Sequence, residues 1–301
     1  MDLAPISIST YNRLEHLKKT VEALKKNKLA DESILYIFSD APKPGDEEVV
    51  KRVREYCDSI DGFKEVIVIK QKSNNMQKNM RDAREIPLKK HGRMIRMEDD
   101  IVTASGFLKF INEALEFFKE DQRIFSIAGF TPVNHKVRDL DIYFSPRFAG
   151  WGYGIWENRY NMIRSLPSYQ SIKRDSETFN RLKNMGDDMI AMIKLESEKS
   201  FAGDIRCSYL CAKENLLNIF PTQTLVKNIG LDGSGVHCGL SDIYKHNSLN
   251  KKIKFEFNIE YDYKQNSHFI RLNNKKYKKR FLVMRAINKI IRILIKKNIF
   301  R

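Results

Sequence analysis

Acidic residues are absent from the end of the chain: from Arg271 to Arg301 there are twelve Lys or Arg and no Asp or Glu. Of the formal net charge of +16, the first 270 residues therefore carry only +4. That distribution argues against a nucleic-acid binder, whose positive charge would also cover its folded body. Cysteine is scarce as well. Cys57, Cys207, Cys211 and Cys238 form no CxxC pair and no disulfide-like framework, so they are expected as reduced thiols. Cys207 and Cys211 stand at helical spacing but lack a second pair to complete a zinc site. No segment has 18 uninterrupted apolar residues, which leaves no candidate membrane span. The opening "LAPISIST" has neither a basic n-region nor a long apolar run, so a cytoplasmic protein without a secretory signal is expected.

With 301 residues, 42% of them hydrophobic, the chain can bury a real core. One large domain with extensions is expected, and intrinsic disorder is excluded. Along the first 130 residues two periods alternate. Pro5 to Thr10 is a short β-type run, followed by Leu14, Leu17, Val21 and Leu24 at helical spacing. "ILYIFSD" (34–40), a helix with Val49, Val50, Val53 and Tyr56 on one side, and "EVIVIK" (65–70) follow. This β-α-β-α-β order predicts an α/β, Rossmann-like sheet whose ligands sit at the carboxyl ends of its strands. Thr10, Tyr11, Asn12 and Arg13 stand at the first such end and Asp40 at the second.

"GRMIRM" is the next strand, and Glu98-Asp99-Asp100 is its carboxyl end. Phe107, Leu108, Ile111, Leu115 and Phe118 mark the following helix. The triplet either faces the ligand edge or merely charge-stabilises the start of that helix. Ser105 is available as the cap, so the acids are not needed there. Three adjacent carboxylates repel one another unless a cation neutralises them. Hard oxygen ligands suit Mg²⁺ or Mn²⁺, and an ion held by one or two carboxylates keeps positions open for a diphosphate.

Together, "PISISTYNR", Asp40 and "MEDDI" resemble the nucleotide-sugar-binding half of glycosyltransferases with the A-type fold. The likeness is closest to the family of N-acetylglucosaminyltransferase I and its bacterial relatives. "FAGWGYGIW" (148–156) stands where that family has a glycine-tryptophan turn, and "NIGLDGSGVHCG" (228–239) looks like its nucleotide-closing loop. The resemblance spans about residues 3–245. It implies a mixed central sheet, a nucleotide-diphosphate sugar as donor and an inverting transfer to a hydroxyl of a glycan or lipid-linked acceptor. Bacterial surface-polysaccharide or lipopolysaccharide assembly is the setting it suggests.

Carried onto this sequence, the resemblance makes Thr10, Tyr11 and Arg13 contacts to the nucleotide and Asp40 a contact to the base. Glu98 and Asp99 meet the sugar and ribose, and Asp100 ligates Mn²⁺ or Mg²⁺. Asn74 and Arg81, in "SNNMQKNMR", lie near the diphosphate, unless that segment is a solvated loop. Trp151, Gly152 and Tyr153 form the sugar platform, since glycine allows close approach and an aromatic face stacks on a sugar ring. Trp156 reads as a core wedge. His237 is a second metal ligand, a diphosphate contact or a structural histidine. Such a transfer needs a base to take the acceptor proton. Asp204 in "SFAGDIRCSY" is favoured, with Phe201 where the family has tryptophan, and Asp188 in "NMGDDMIAM" is the reserve.

The expected organisation is a catalytic domain over 1–262, divided into a nucleotide-sugar half (1–100) and an acceptor half (101–262), and a basic tail over 263–301. Arg285, Lys289, Arg292 and Lys296 share one face of a C-terminal helix, opposite Met284, Ile287, Ile291, Leu294 and Ile295. Such a basic amphipathic helix is expected to lie on an anionic membrane surface, making the protein peripheral on its cytoplasmic side. The alternative is a helix packed on the core. Two other functions compete: a non-catalytic basic protein binding membrane or nucleic acid, and a metal-dependent nucleotidyltransferase. The latter normally opens with a glycine-rich phosphate loop, and "STYNRLEHL" has no glycine.

Overall fold

The computed structural model describes residues 2–135, 137, 140–199, 203–233, 244, 247–258 and 262–277. The expected alternation opens the chain: β1 (Ile6–Thr10), α1 (Leu14–Lys25), β2 (Ile34–Ser39), α2 (Glu47–Asp58) and β3 (Glu65–Lys70). A helix not anticipated there, α3 (Met76–His91), leads into β4 (Arg93–Glu98). Asn75 caps α3 by accepting the Lys78 N–H, and Gly92, at φ 70°, ends it. Next come β5 (Ile101–Thr103), α4 (Phe107–Phe117), β6 (Ile124–Ala128), β7 (Ile142–Ser145) and β8 (Tyr153–Trp156). Five helices follow: α5 (Glu157–Tyr160), α6 (Tyr169–Arg174), α7 (Ser176–Asn184), α8 (Met189–Lys199) and α9 (Gly203–Glu214). The described elements end with β9 (Leu217–Pro221), β10 (Val226–Asn228) and α10 (Tyr263–Lys275).

Eight strands form one mixed sheet in the order β3-β2-β1-β4-β8-β6-β9-β7. The first four are parallel, and β8 turns antiparallel against β4. This α/β architecture with a mixed sheet is the one expected. One face packs α1, α2 and α4 through Leu17, Val21, Val53, Phe107 and Ile111. On the other, Leu88 of α3 and the α6–α9 group cover the strands through Ile172, Leu182, Met189 and Ile205. Val49 lies outside the first contact and is exposed, because α2 buries Val50, Val53 and Cys57 instead.

Two local solutions differ from the sequence reading. Ser105 does not cap α4: Gly106 precedes the helix without a side-chain bond. Asn27, at the end of α1, instead accepts the Leu108 N–H at 3.0 Å and so serves α4 from another element. The start of the expected basic tail is also part of the fold. Helix α10 packs Phe269 beside Tyr143 and Phe220, and Asn266 accepts the N–H of Phe144 on the edge strand β7 at 2.7 Å. Residues 278–301, which carry the expected amphipathic helix, lie outside the described residues. Among the described residues no helix is long and apolar enough to cross a membrane. Cys57, Cys207 and Cys211 are free and buried.

Candidate active site

Side chains alternate across β4, so Ile95 and Met97 enter the core beneath α1 and α4, while Met94 enters the one beneath α3 and α9. Arg96 and Glu98 share the side of Met94. Beyond Glu98 the chain turns, and the remaining two carboxylates are held at the end of β1. Asp99 accepts from Thr10 Oγ1 at 3.0 Å and from Arg13 Nη2, and its carbonyl accepts from Thr20 Oγ1 of α1 at 2.9 Å. Asp100 Oδ2 pairs with Arg13 Nη1 at 2.9 Å. Both aspartates are only 4% exposed, so a single guanidinium, rather than solvent, balances them.

Asp100 has a second peculiarity. Its Oδ1 is buried without a hydrogen-bond partner. The ribbon of β5 and β10 runs beside it, with Ile229 N–H donating to the Asp100 carbonyl at 2.9 Å. That ribbon brings Gly230 against the carboxylate, where a Cβ would stand 2.0 Å from Oδ2. Among the described residues no three His, Cys, Asp or Glu are grouped as a metal site. The unpartnered oxygen nonetheless suits a hard ion that takes one protein carboxylate and draws its remaining oxygens from a diphosphate and water. His237 lies outside the described residues.

At the end of β2, Asp40 is committed to its own loop. Its Oδ1 accepts the N–H groups of Ala41 at 2.9 Å and Asn75 at 3.0 Å. Asn74 Nδ2 reaches Oδ2 at 3.4 Å and the Ala41 carbonyl at 2.7 Å. Asp40 thereby fastens β2 to the start of α3, and Asn74 is part of that fastening. Tyr11 donates to Asp46 at 2.6 Å and accepts the Lys43 N–H at 2.9 Å, which closes the neighbouring loop. Arg81 is exposed on α3, with Asp82 at 4.0 Å. The "SNNMQKNMR" stretch is thus a short loop followed by a helix.

The aromatic turn stands beside this edge. Trp151 packs edge-on to Phe130 at 4.7 Å and to Tyr244 at 5.5 Å. Gly152 has φ +63° and Phe107 and Val226 close by, so neither its backbone nor its surroundings accept a side chain. Tyr153 is a core residue of β8, 7% exposed and 4.9 Å from the Phe148 ring. Trp156 is buried, in keeping with a core role.

Residues remote in sequence gather near Glu98, with Asp204 within electrostatic reach of it. Asp204, near the start of α9, rests on the backbone of Gly150, where a Cβ would lie 2.1 Å from Oδ2. Arg84 of α3 lies within electrostatic reach of Tyr153, Tyr160 and Asp204. Arg96 is 3% exposed and donates to Ser7 O at 3.1 Å, Met97 O and Ser9 Oγ. Neither arginine has a carboxylate within ion-pair distance among the described residues. Asp204 keeps a face open to solvent while protein surrounds it, and that desolvation raises its pKa against the lowering influence of Arg84 and Arg96. Desolvation and the nearby Asp100 push Glu98 up to about 7, with Arg96 opposing.

The reserve residue, Asp188, has a different occupation. Its two oxygens take Arg147 Nη1 and Nη2 at 2.8 and 2.7 Å, and Tyr277 lies over the same guanidinium at 3.8 Å. Sequence reading missed Arg84, Arg96 and Gly150. Arg96 carried the one available signal, since it occupies the same β-face as Glu98 within an otherwise apolar strand.

No protein-family model and no curated protein matches the chain. Among solved structures, it is similar to S. aureus TarS at 14% identity and a TM-score of 0.36, covering 55% of this chain and 30% of that one. A complex of S. aureus TarS 1-349 with UDP gives 12% identity and 0.36, over 55% of this chain and 50% of that one. The mannosyltransferase PcManGT from Pyrobaculum calidifontis, in complex with GDP-Man and Mn²⁺, gives 12% and 0.35, over 51% and 44%. The chain thus spans between about a third and a half of the length of these proteins.

Proposed function

We propose that this chain is an inverting glycosyltransferase that uses a nucleotide-diphosphate sugar and transfers its sugar to a hydroxyl acceptor. The observation that carries this reading is that Asp204, from more than a hundred residues further along the chain, lies within electrostatic reach of Glu98 at the carboxyl edge of the parallel strands. Ligands of such sheets bind at that edge. Thr10, Arg13 and the acidic triplet supply its polar wall on the β1 side, and Asp204 brings a solvent-open carboxylate from the opposite half.

In this reading Asp204 accepts the proton of the attacking hydroxyl. A carboxylate whose pKa is raised by desolvation is a better base near neutral pH than a fully hydrated one. Glu98 faces the donor sugar, and Trp151 offers the acceptor an aromatic surface. Asp100 is the residue for a divalent cation, which when bound supplies Lewis-acid stabilisation of the departing diphosphate. The anchored Asp40 loop shapes the base pocket rather than lending it a free carboxylate.

Thermal midpoints measured against a panel of UDP- and GDP-sugars, with and without Mn²⁺, test the donor assignment. A cognate donor raises the midpoint by binding the native state alone. Its effect is expected to grow with Mn²⁺ in the parent protein and to lose that gain in Asp100→Asn. No shift with any nucleotide sugar rejects the reading.

A further inference from the structure

Glycine at position 150 is not explained by its backbone, since its φ lies outside the left-handed region. The space beside it explains it better. All three nearest neighbours of a built Cβ belong to one carboxylate: Asp204 Oδ2 at 2.1 Å, Cγ at 2.7 Å and Oδ1 at 2.9 Å. No other side chain and no backbone approaches so closely. The Asp204 carboxylate therefore occupies the room that any other residue at 150 would fill.

The seat is part of the aromatic turn. Trp151 follows directly, and Gly152, whose carbonyl accepts the Gly129 N–H at 2.7 Å, fixes the turn to the end of β6. Arg84 of α3, and Arg96, held by β1 and β4, provide positive charge around the same carboxylate without a close ion pair to it. Asp204 is thus located by shape and by a surrounding field. It lies in the first turn of α9, and the contact with Gly150 binds that end of the helix to the turn.

We infer that Gly150 is a positioning residue: its missing side chain seats Asp204 on the Trp151 turn, so that the base and the acceptor's aromatic platform form one rigid unit. This rests on the proposed role of Asp204 as the base. A displacement of about 1 Å at such a group costs on the order of 10²-fold in rate.

The test is a double-mutant cycle on the full chain, reading nucleoside diphosphate release from the UDP- or GDP-sugar that gives the largest thermal shift, together with the melting midpoint. Gly150→Ala is expected to lower kcat by about tenfold to a hundredfold with donor KM unchanged, because the methyl displaces only the end of a short side chain. In the Asp204→Asn background, where no base remains to be positioned, the same substitution is expected to change kcat less than twofold. Parental turnover in Gly150→Ala, or an equal loss in both backgrounds, overturns the inference. If Gly150→Ala melts early, Asp204→Ala in the same chain is expected to restore the midpoint by vacating the space, and failure to do so also overturns it. Normal turnover in Asp204→Asn alone sinks the role of Asp204 instead, which separates the two failures.

Discussion

At the scale of single residues the charge balance of the edge hangs on Arg13. It pairs with Asp99 and Asp100, both buried, and removing one partner of a buried pair typically costs about 3–5 kcal/mol because the other is left uncompensated. Arg13→Met is expected to lower the urea stability by about that much, with Arg13→Lys intermediate since a point charge replaces a planar fork. Unchanged unfolding midpoints would show that the triplet is balanced otherwise. Glu98 gives a signed pH effect. Its folded pKa of about 7 lies above the ordinary 4.5, so its contribution is fully present below 4.5 and is lost as pH rises through 7. Glu98→Gln is expected to match the parent at pH 4 and exceed it at pH 8, and equal urea curves at pH 8 would contradict this. The strand-end positions of the triplet, Thr10, Arg13 and Asp40 were legible in the sequence because strand ends advertise themselves through period. The partners of Asp204 were not: Arg84, Arg96 and Gly150 come from a helix, a strand and a turn that only tertiary packing brings together.

Among the elements, α10 shows how charge can mask packing. Its Asn266, Phe269 and Asn273 share one face, yet the lysines that follow made the segment read as the start of a basic, membrane-associating tail. Asn273 bonds the Tyr143 hydroxyl at 2.7 Å and His135 Nε2 at 3.2 Å, and the Phe269 ring lies 4.5 Å from that imidazole. Burial lowers the His135 pKa from 6.5 to about 4. A depressed histidine favours the folded state above 6.5, and this advantage is lost as pH falls towards 4. Phe269→Ala is expected to cost about 3 kcal/mol or more and, by admitting water to the imidazole, to reduce the loss of stability between pH 6.5 and 4. Urea unfolding at several pH values measures both effects, and an unaltered pH slope would contradict the second. Helix α3 was hidden for a related reason: its polar opening, "SNNMQKNMR", has the composition of a loop, and its apolar contacts are few.

Across the whole molecule, the first half was readable because its strands and helices alternate in long, regular periods. The second half was not, because β6 to β9 are four or five residues each and are interleaved in space rather than in sequence. Since α10 belongs to the fold, the membrane-binding segment expected from the sequence narrows to residues 278–301. Truncation after Tyr277 is expected to abolish sedimentation with anionic liposomes at physiological salt while leaving the melting midpoint unchanged; undiminished sedimentation would contradict that role. The central claim joins the two halves of the sheet through one carboxylate. Its most direct test compares the parent with Asp204→Asn, measuring donor affinity by calorimetry and nucleoside diphosphate release at saturating donor. The account predicts equal donor affinity and a rate lower by roughly 10²- to 10⁴-fold, the usual share of general-base catalysis. Parental turnover by Asp204→Asn would contradict it.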